Sequence, residues 1–496
     1  MSTLVQCPAE IIDIILSFLN LSDICAFRLT SRHLAYKVCS APSLGFHLQQ
    51  RHVDITEHSL RALANATAKP YRLGCFIQDL VLVGVVNNTK LLARETRNQA
   101  TDAKAQQDLA VLTKRQKGYE TMRASGYDVR LLSQIFRNLI ARGRYRSLRS
   151  LSLAVVVYRE DAQKRLAPIE GGGWMPIWQA ATDTFHTALA ALAKSGILVQ
   201  KLDIYNSLKR CSLACNEPSA VDFESNALAT SLASLETLAV SFSDRVINLY
   251  VEDFGQTGDS ADSWDEDGET RELEDMEAEA CHESTFTGIA GLVQHFQGLE
   301  SLELHYYQLD KKGEEEVSRH PERFLQYIVM TASLPPLKRV VLRGFRVRSV
   351  DLLTFLSRLK RTLREVALQN LILLADAKYR PILDYCTSEG AGLDRLYLDN
   401  LLEPEISDPA GNLDRDKLVY FTGEPNQRPK FLWRQDLPRH GSNTVDRIGA
   451  AQIRRPIPYF SMFFLYRYTP CRAAFYPNIR PSGSPWLDGR PEYGPP

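Results

Sequence analysis

A spacing of leucines and other aliphatic residues recurs along most of this chain of 496 residues. The pattern is Leu-x-x-Leu-x-Leu with aliphatic substitutions, and eight copies are found. They begin at Ile77, Leu148, Val199, Leu235, Leu299, Leu337, Leu363 and Leu393. Alternation of this kind predicts β-strands that bury one face. The chain therefore needs a fold that places many similar strands side by side.

Most copies follow a stretch with helical periodicity, and such stretches lie at 180–195, 226–234, 288–297 and 350–361. A strand with one apolar face and a helix with one apolar stripe cannot stand alone, but stacked units bury both in one continuous core. The pattern predicts an α/β repeat solenoid of the leucine-rich-repeat type over residues 76–402, with helices outside and parallel strands inside. The alternative is an ordinary α/β domain whose strands fit a loose aliphatic template.

The copies are unevenly spaced, which predicts insertions. Their starts are 71, 51, 36, 64, 38, 26 and 30 residues apart, so only the last units approach a regular period. Insertions are expected at 87–128, 159–177 and 252–283. The first is polar and is expected to be a projecting helical or disordered excursion. The second contains three consecutive glycines before Trp174 and is expected to be a flexible loop.

The third insertion is strongly acidic. Residues 252–283 contain fourteen Asp and Glu residues against Arg271 alone, a composition typical of disorder. Two interpretations remain open for this segment. It is either a solvated loop between two repeats or an interaction segment for a basic partner.

Composition limits the function classes. Lys+Arg and Asp+Glu both number 59, so no general basic field favours a nucleic-acid partner. Nine dispersed cysteines suggest a reducing compartment. The sequence contains no apolar run of about eighteen residues, so no membrane span is predicted. Because the N-terminus is also a poor signal peptide, we expect an intracellular protein of the cytoplasm or nucleus.

No familiar catalytic or metal-binding motif is found. Cys211 and Cys215 are a close pair, but no second pair follows at a zinc-like spacing. Nucleophile elbows, metalloprotease helices and dinucleotide fingerprints are absent from the sequence. We therefore predict no catalytic residue, no metal and no cofactor. An enzyme hidden in the irregular C-terminal region is the remaining alternative.

The C-terminal part differs from the repeats. Fourteen of the 24 prolines lie between 404 and 496. The aromatic run at 459–468 is expected to pack on the last repeat, because a solenoid needs a terminal cover. Residues 403–496 are therefore predicted to be a cap followed by a mobile tail.

The N-terminal 45 residues predict three short helices, and residues 46–75 predict linker helices. The first helix is apolar around most of its circumference, apart from the stripe of Glu10, Asp13 and Ser17. Since that arc is wider than a small core can cover, part of it is expected to meet another protein. Ser22 and Ser31 are predicted to cap the second and third helices.

This stretch resembles an F-box. The resemblance rests on Cys7-Pro8-x-Glu10-Ile11-Ile12-x-x-Ile15-Leu16-x-x-Leu19, followed by Leu21-x-Asp23-Ile24-x-x-Phe27-Arg28-Leu29-Thr30-Ser31. Cys7 stands where the family usually has leucine. The resemblance implies docking on a Skp-type adaptor and, through it, on a cullin-RING ubiquitin ligase. The implied adaptor-binding residues are Pro8, Ile11, Ile12, Ile15, Leu16, Leu19, Ile24 and Phe27.

In each repeat the side chains that alternate with the leucines are expected on the concave face of the sheet. The candidate substrate-binding residues are Lys201, Tyr205, Glu303, His305, Arg339, Arg343, Gln369, Arg395, Tyr397 and Asp399. The arginines among them would suit an acidic or phosphorylated peptide.

Together these features predict a non-catalytic substrate receptor of a Skp–cullin–F-box ligase with an unknown protein substrate. The alternative is a leucine-rich-repeat scaffold whose first helices only cap the solenoid.

Overall fold

The computed structural model describes residues 4–403 apart from several gaps, together with five short strands between 417 and 454. The gaps are residues 20, 42, 45–47, 69–72, 88, 90–91, 94–95, 97–102, 159–164, 169–173, 209–210, 224, 244–281, 308–321, 375–377 and 387. The expectations for the acidic stretch up to residue 281, for the glycine triplet at 171–173 and for 459–468 lie outside the described residues.

Three helices form the N-terminal module. They are α1 (Ala9–Ser17), α2 (Leu21–Leu29) and α3 (Arg32–Ser40). Ser31 caps α3 as predicted, because its hydroxyl accepts a hydrogen bond of 3.2 Å from the His33 backbone N–H. The prediction for Ser22 is wrong, since α2 already begins at Leu21.

The module has its own core. Its fully buried side chains include Ile12 and Leu16 of α1, Ile24 of α2, and Leu34 and Val38 of α3. Phe76 also packs against this cluster, although it lies later in the chain, in the 3-10 turn Leu73–Phe76 that follows the first strand of the sheet. Asp13 accepts a hydrogen bond of 2.8 Å from the Ser43 backbone N–H. The helices are thus tied to the chain that follows them.

A long parallel sheet organises the rest of the described chain. Its strands, with those of two smaller sheets, are β1 (Gln50–Asp54), β2 (Asp79–Asn87), β3 (Ser147–Tyr158), β4 (Leu198–Ile204), β5 (Leu213–Ala214), β6 (Thr237–Ser243), β7 (Ser301–Tyr307), β8 (Arg339–Arg343), β9 (Arg346–Val347), β10 (Glu365–Gln369), β11 (Ile372–Leu373), β12 (Arg395–Asp399), β13 (Leu402–Glu403), β14 (Lys417–Leu418), β15 (Tyr420–Thr422), β16 (Lys430–Leu432), β17 (Thr444–Ile448) and β18 (Gln452–Arg454). Strands β1, β2, β3, β4, β6, β7, β8, β10 and β12 pair in that order, and all these pairings are parallel.

All eight copies of the aliphatic pattern coincide with strands of this sheet, namely β2, β3, β4, β6, β7, β8, β10 and β12. Strand β1 was not predicted and lies in the expected linker. Its sequence Gln-Arg-His-Val-Asp lacks the aliphatic pattern, and its place in the sheet comes from parallel pairing along its whole length, from Gln50 with Asp79 to Asp54 with Val83. Parallel pairing with β2 therefore makes a strand from residues whose local pattern does not indicate one.

Helices connect the strands. They are α4 (Glu57–Thr67), α5 (Ala103–Ala124), α6 (Tyr127–Arg142), α7 (Trp174–Ser195), α8 (Asn226–Leu232), α9 (Glu283–His295), α10 (Arg323–Met330), α11 (Ser349–Arg358) and α12 (Arg380–Cys386). Their buried side chains and every second strand residue form one continuous core. Its centre is aromatic, with the Phe324 ring 5.1 Å from Phe242 and 4.9 Å from Phe286.

The insertion predicted at 87–128 is only partly a projection. Its helix α5 buries Met122 in the main core, and Tyr119 packs against the same cluster. The segment between α5 and β3 is helix α6, which buries Leu132, Ile135 and Phe136. The polar composition of this segment did not predict these core contacts, because each turn of α5 contains few apolar residues.

The last units repeat closely. Gly344, Asn370 and Asn400 each follow a strand with positive φ values of 77°, 50° and 54°. The Asn400 side-chain amide donates a hydrogen bond of 2.5 Å to the Asn370 side-chain oxygen. Each turn leads into a short strand of a second sheet, in the order β9, β11 and β13. These units therefore stack with the same backbone path.

Candidate functional site

The first candidate surface lies on the N-terminal module. Helix α1 buries Ile12 and Leu16 completely, but Ile11, Ile14 and Phe18 are 45%, 55% and 84% exposed. Positions 11, 14 and 18 follow helical spacing and share one side of α1. One side of the helix thus forms the module's core and the other presents large apolar side chains to solvent.

The neighbouring helices add to the exposed apolar groups. Leu29 at the end of α2 is 88% exposed, and Tyr36 on α3 is 79% exposed. Leu4, just before α1, is 49% exposed. More than half of the large exposed hydrophobic residues in the described chain belong to this short module. Clustering of this kind is typical of a protein-binding surface.

The predicted adaptor residues fall into two groups. Pro8 and Ile11 are exposed, and Ile15, Leu19 and Phe27 are half-buried. Ile12, Leu16 and Ile24 are fully buried, so in this conformation they hold the helices together and present no surface to a partner. Sequence reasoning missed Ile14, Phe18, Leu29 and Tyr36. The width of the apolar arc on α1 signalled that some residues must face outward, but not which ones.

The second candidate surface is the sheet face opposite the helices, called here the second face. It is formed by strand side chains that alternate with those of the main core. On β2 and β3 this face is apolar, with Val81, Val83, Val85 and Val156 in a separate buried cluster. From β4 to β12 it becomes polar. That polar part is called the polar strip, and most of the predicted substrate-binding residues lie on it.

A chain of hydrogen bonds crosses the beginning of the polar strip. The Asn206 backbone N–H donates to Asp203 at 2.9 Å, and the Asn206 side-chain amide donates to Glu303 at 3.1 Å. Glu303 also forms an ion pair with Arg339. Burial raises the pKa of Asp203 to about 7, and the charge of nearby Glu303 adds to this shift. The pKa of the Asp203 carboxyl group therefore lies close to neutral pH.

Two further pairs follow on the next row of the strip. The His305 Nδ1 lies 3.2 Å from the Ser241 hydroxyl, and Arg343 Nε donates to Gln369 at 3.2 Å. Burial holds the pKa of His305 well below its usual range, and the charge of Arg343 acts in the same direction. Burial also lowers the pKa of Arg343, whereas nearby acidic groups, Glu303 first among them, oppose that shift. His305 is thus neutral at physiological pH.

The remaining predicted residues are also placed on this strip, with one correction. Lys201 and Arg395 are half-buried, whereas Gln369, Tyr397 and Asp399 are buried. Tyr205 does not belong to the second face. Strand β4 ends at Ile204, and a positive φ of 57° at Tyr205 breaks the alternation. Its ring enters the main core, and its hydroxyl donates to the Ala181 carbonyl at 2.6 Å.

The arginines of the strip have acidic neighbours. Arg339 pairs with Glu303 and lies 3.5 Å from Glu365. Lys201, Arg339, Glu365 and Arg395 share one row of the sheet register with Thr237 and Ser301. The acidic Asp203, Glu303 and Asp399 lie on the neighbouring rows and balance the basic groups of the strip. The strip consequently offers paired polar groups, and it has no large surplus of positive charge with which to attract an anion.

The described part of the chain contains no group of three or more His, Cys, Asp or Glu side chains arranged to hold a metal ion. Cys211 and Cys215 are buried thiols in the main core, and burial raises the pKa of Cys211 strongly. Among the described helices, none has the length and apolar character needed to cross a membrane.

Comparison with known proteins places the module in a class. Residues 4–44 match the model of the F-box domain. F-box domains bind Skp-type adaptors in cullin-RING ubiquitin ligases, so this match implies an adaptor-binding component of such a ligase. No curated protein matches the chain. The module's match coincides with its three helices and with the exposed apolar surface described above.

Proposed function

We propose that this protein is a substrate receptor of a Skp–cullin–F-box ubiquitin ligase. The observation that carries the proposal is the F-box match at residues 4–44, joined to a cluster of exposed apolar side chains on the same helices. The chain itself would catalyse no covalent step. It would hold a protein substrate near the ubiquitin-conjugating enzyme and so raise the rate of ubiquitin transfer by proximity alone.

The adaptor contact in this proposal is made by the outward side of the module. Ile14 and Phe18 are its central groups because both are more than half exposed and lie one helical turn apart. Burial of one such side chain contributes about 1.5–3 kcal/mol. The fully buried Ile12, Leu16 and Ile24 support the same surface from inside, and the half-buried Ile15, Leu19 and Phe27 form its border.

The parallel units are proposed to be irregular leucine-rich repeats. Three observations support this assignment: the strands pair in chain order, all of these parallel strands except β1 carry the aliphatic spacing, and the turns at Gly344, Asn370 and Asn400 have equivalent backbone conformations. Leucine-rich repeats likewise combine a strand with a helix in each unit and often carry asparagine after the strand. The long intervals between the early units then accommodate α5 and the acidic segment.

Substrate binding is assigned to the polar strip. Its half-buried Lys201, Arg339, Glu365 and Arg395 share one row, and Asp203, Glu303 and Asp399 on the neighbouring rows balance their charge, so the strip suits a peptide of mixed charge better than a purely acidic one. A shallow depression over β8, β10 and β12, lined by Val341, Ala367 and Tyr397, lies beside this row. This apolar patch would contact a bound peptide between the charged groups, but it is too shallow to enclose a side chain.

The test is co-purification of the full chain with a Skp-type adaptor. Ile14→Asp/Phe18→Asp should reduce binding at least 100-fold, because two carboxylates would have to be desolvated in place of two apolar side chains. Val350→Asp is the matched control, since Val350 is 60% exposed and lies far along the chain on α11. Both variants should keep the thermal stability of the parent chain.

A folded chain that does not bind the adaptor, or a double variant that binds as well as the parent, would refute the ligase assignment. Replacing Ile12 and Leu16 with Asp would not serve, because both are core residues and their loss would unfold the module.

A second candidate function is a repeat scaffold whose N-terminal helices only cover the sheet. It is favoured by one observation: Phe76, in the turn shortly before β2, packs against the core of the module. Ile14→Asp/Phe18→Asp separates the two functions, because the outward groups of a simple cover would be dispensable for every interaction of the chain.

A further inference from the structure

Basic side chains are concentrated on one region of the helical layer. Residues 103–149, which include α5, α6 and the turn before β3, contain eleven Lys and Arg residues against three Asp and Glu residues. Two of those acidic residues, Asp108 and Asp128, are buried. Apart from Arg149, which pairs with Asp79, the exposed basic residues are Lys104, Lys114, Arg115, Lys117, Arg130, Arg137, Arg142, Arg144 and Arg146. We call this set the basic face.

The basic face contrasts with a neutral chain. Lys+Arg and Asp+Glu balance at 59 each, so the surplus here must be compensated elsewhere. The largest compensation is the segment 252–283, with fourteen acidic residues against one arginine. Most of that segment lies outside the described residues, and only its sequence enters the inference. Opposite charge on two insertions of one chain is the first reason to connect them.

Topology brings the two insertions to the same edge of the sheet. Helix α5 follows the C-terminal end of β2, and the acidic segment follows the C-terminal end of β6. Because β2, β3, β4 and β6 are parallel neighbours, these ends lie on one edge, and three strand spacings of about 4.8 Å separate them by only about 15 Å.

Chain length also permits the contact. Residues 244–281 connect β6 to the residues before α9. An extended chain covers about 3.3–3.6 Å per residue, so the acidic triplet Asp265–Glu266–Asp267 has a reach of more than about 50 Å from either end. This exceeds the separation of about 15 Å between the ends of β2 and β6.

We propose that the acidic segment 252–279 docks on the basic face of its own chain. Its carboxylates would meet Lys114, Arg115 and Lys117 on α5 and Arg130 on α6. Nucleic acid is the less favoured occupant, because the aromatic Tyr127 on this face already carries the guanidinium groups of Arg61 and Arg130, at 5.4 and 5.1 Å. The basic face belongs to the helical layer, on the opposite side of the sheet from the polar strip, so this docking would leave the strip to a substrate.

The test uses a zero-length carbodiimide reagent, which joins a lysine amine to a contacting carboxylate, on the full chain. Mass spectrometry should place most cross-links from 252–279 on Lys104, Lys114 and Lys117. Cross-linking should fall several-fold in about 1 M salt, where the screening length is about 3 Å. Arg115→Glu/Arg130→Glu should also reduce it several-fold, and this variant keeps all three lysines as reporters.

Lys360→Glu/Arg361→Glu is the matched control, because both residues are exposed in the turn after α11. It should leave the cross-links unchanged. Equal yields on Lys338 or Lys194, insensitivity to salt, or an equal loss in the control variant would overturn the proposal. So would cross-links that join only differently labelled copies of the chain. Binding of a random-sequence oligonucleotide that requires Arg115 and Arg130, without these cross-links, would assign the face to nucleic acid instead.

Discussion

Replacing Ile12 or Ile14 with alanine should separate the two roles of α1. The residues are two positions apart and identical in type, but Ile12 is 0% exposed and Ile14 is 55% exposed. Ile12→Ala removes buried methyl groups from the core of the module and should cost about 2–5 kcal/mol of its stability. Ile14→Ala should change stability by no more than about 0.5 kcal/mol, since its side chain is already largely in water.

The size of the module makes the first effect conspicuous. Its core cluster contains eight buried hydrophobic residues, and a unit of about 40 residues has little stability to lose. Ile12→Ala should therefore open α1–α3 locally, while the parallel sheet and its helices remain folded on their separate core.

Amide hydrogen exchange followed by mass spectrometry measures this directly. Residues 9–40 should exchange faster in Ile12→Ala but not in Ile14→Ala, and exchange in β7–β12 should be unchanged in both variants. Adaptor binding should weaken in both, through unfolding in the first and through a lost contact in the second. Equal protection of residues 9–40 in the two variants would refute the division of α1 into an inward and an outward side.

Two other predictions concern the repeats. A Cβ at Gly344 would overlap the Tyr306 carbonyl oxygen, whereas a Cβ at Gly196, which also has a positive φ, would have nothing within 4 Å. In urea unfolding, Gly196→Ala should therefore lower the free energy of unfolding by about 1 kcal/mol and Gly344→Ala by about 3 kcal/mol or more. Similar losses in the two variants would contradict the close stacking of units at Gly344. Because burial raises the pKa of Asp203 to about 7 from 3.8, the native state keeps a proton that the unfolded state releases, so the free energy of unfolding should fall as pH rises from about 4 to about 7. Asp203→Asn should flatten that pH dependence, and an unchanged slope between pH 4.5 and 7.5 would show that Asp203 is not the group responsible.

The sequence determined the strands and the module. Alternating aliphatic residues located eight strands of the long sheet, because a strand that buries one face must repeat with period two regardless of its neighbours. The F-box resemblance of the first residues was confirmed by the match at 4–44. Ser31 as a cap could also be read locally, since a cap involves only the residues next to it.

Only the tertiary structure decided which side of α1 faces outward, because its apolar residues are nearly alike and packing of α3 selects Ile12 and Leu16. The same holds for β1, which its local sequence does not indicate and which pairing with β2 creates. Tyr205 entered the core because one positive φ ended the alternation. The arginines of the strip looked suited to an anion until their acidic neighbours, far away in sequence, were in place. Contacts between distant residues settle these points, and no local pattern encodes them.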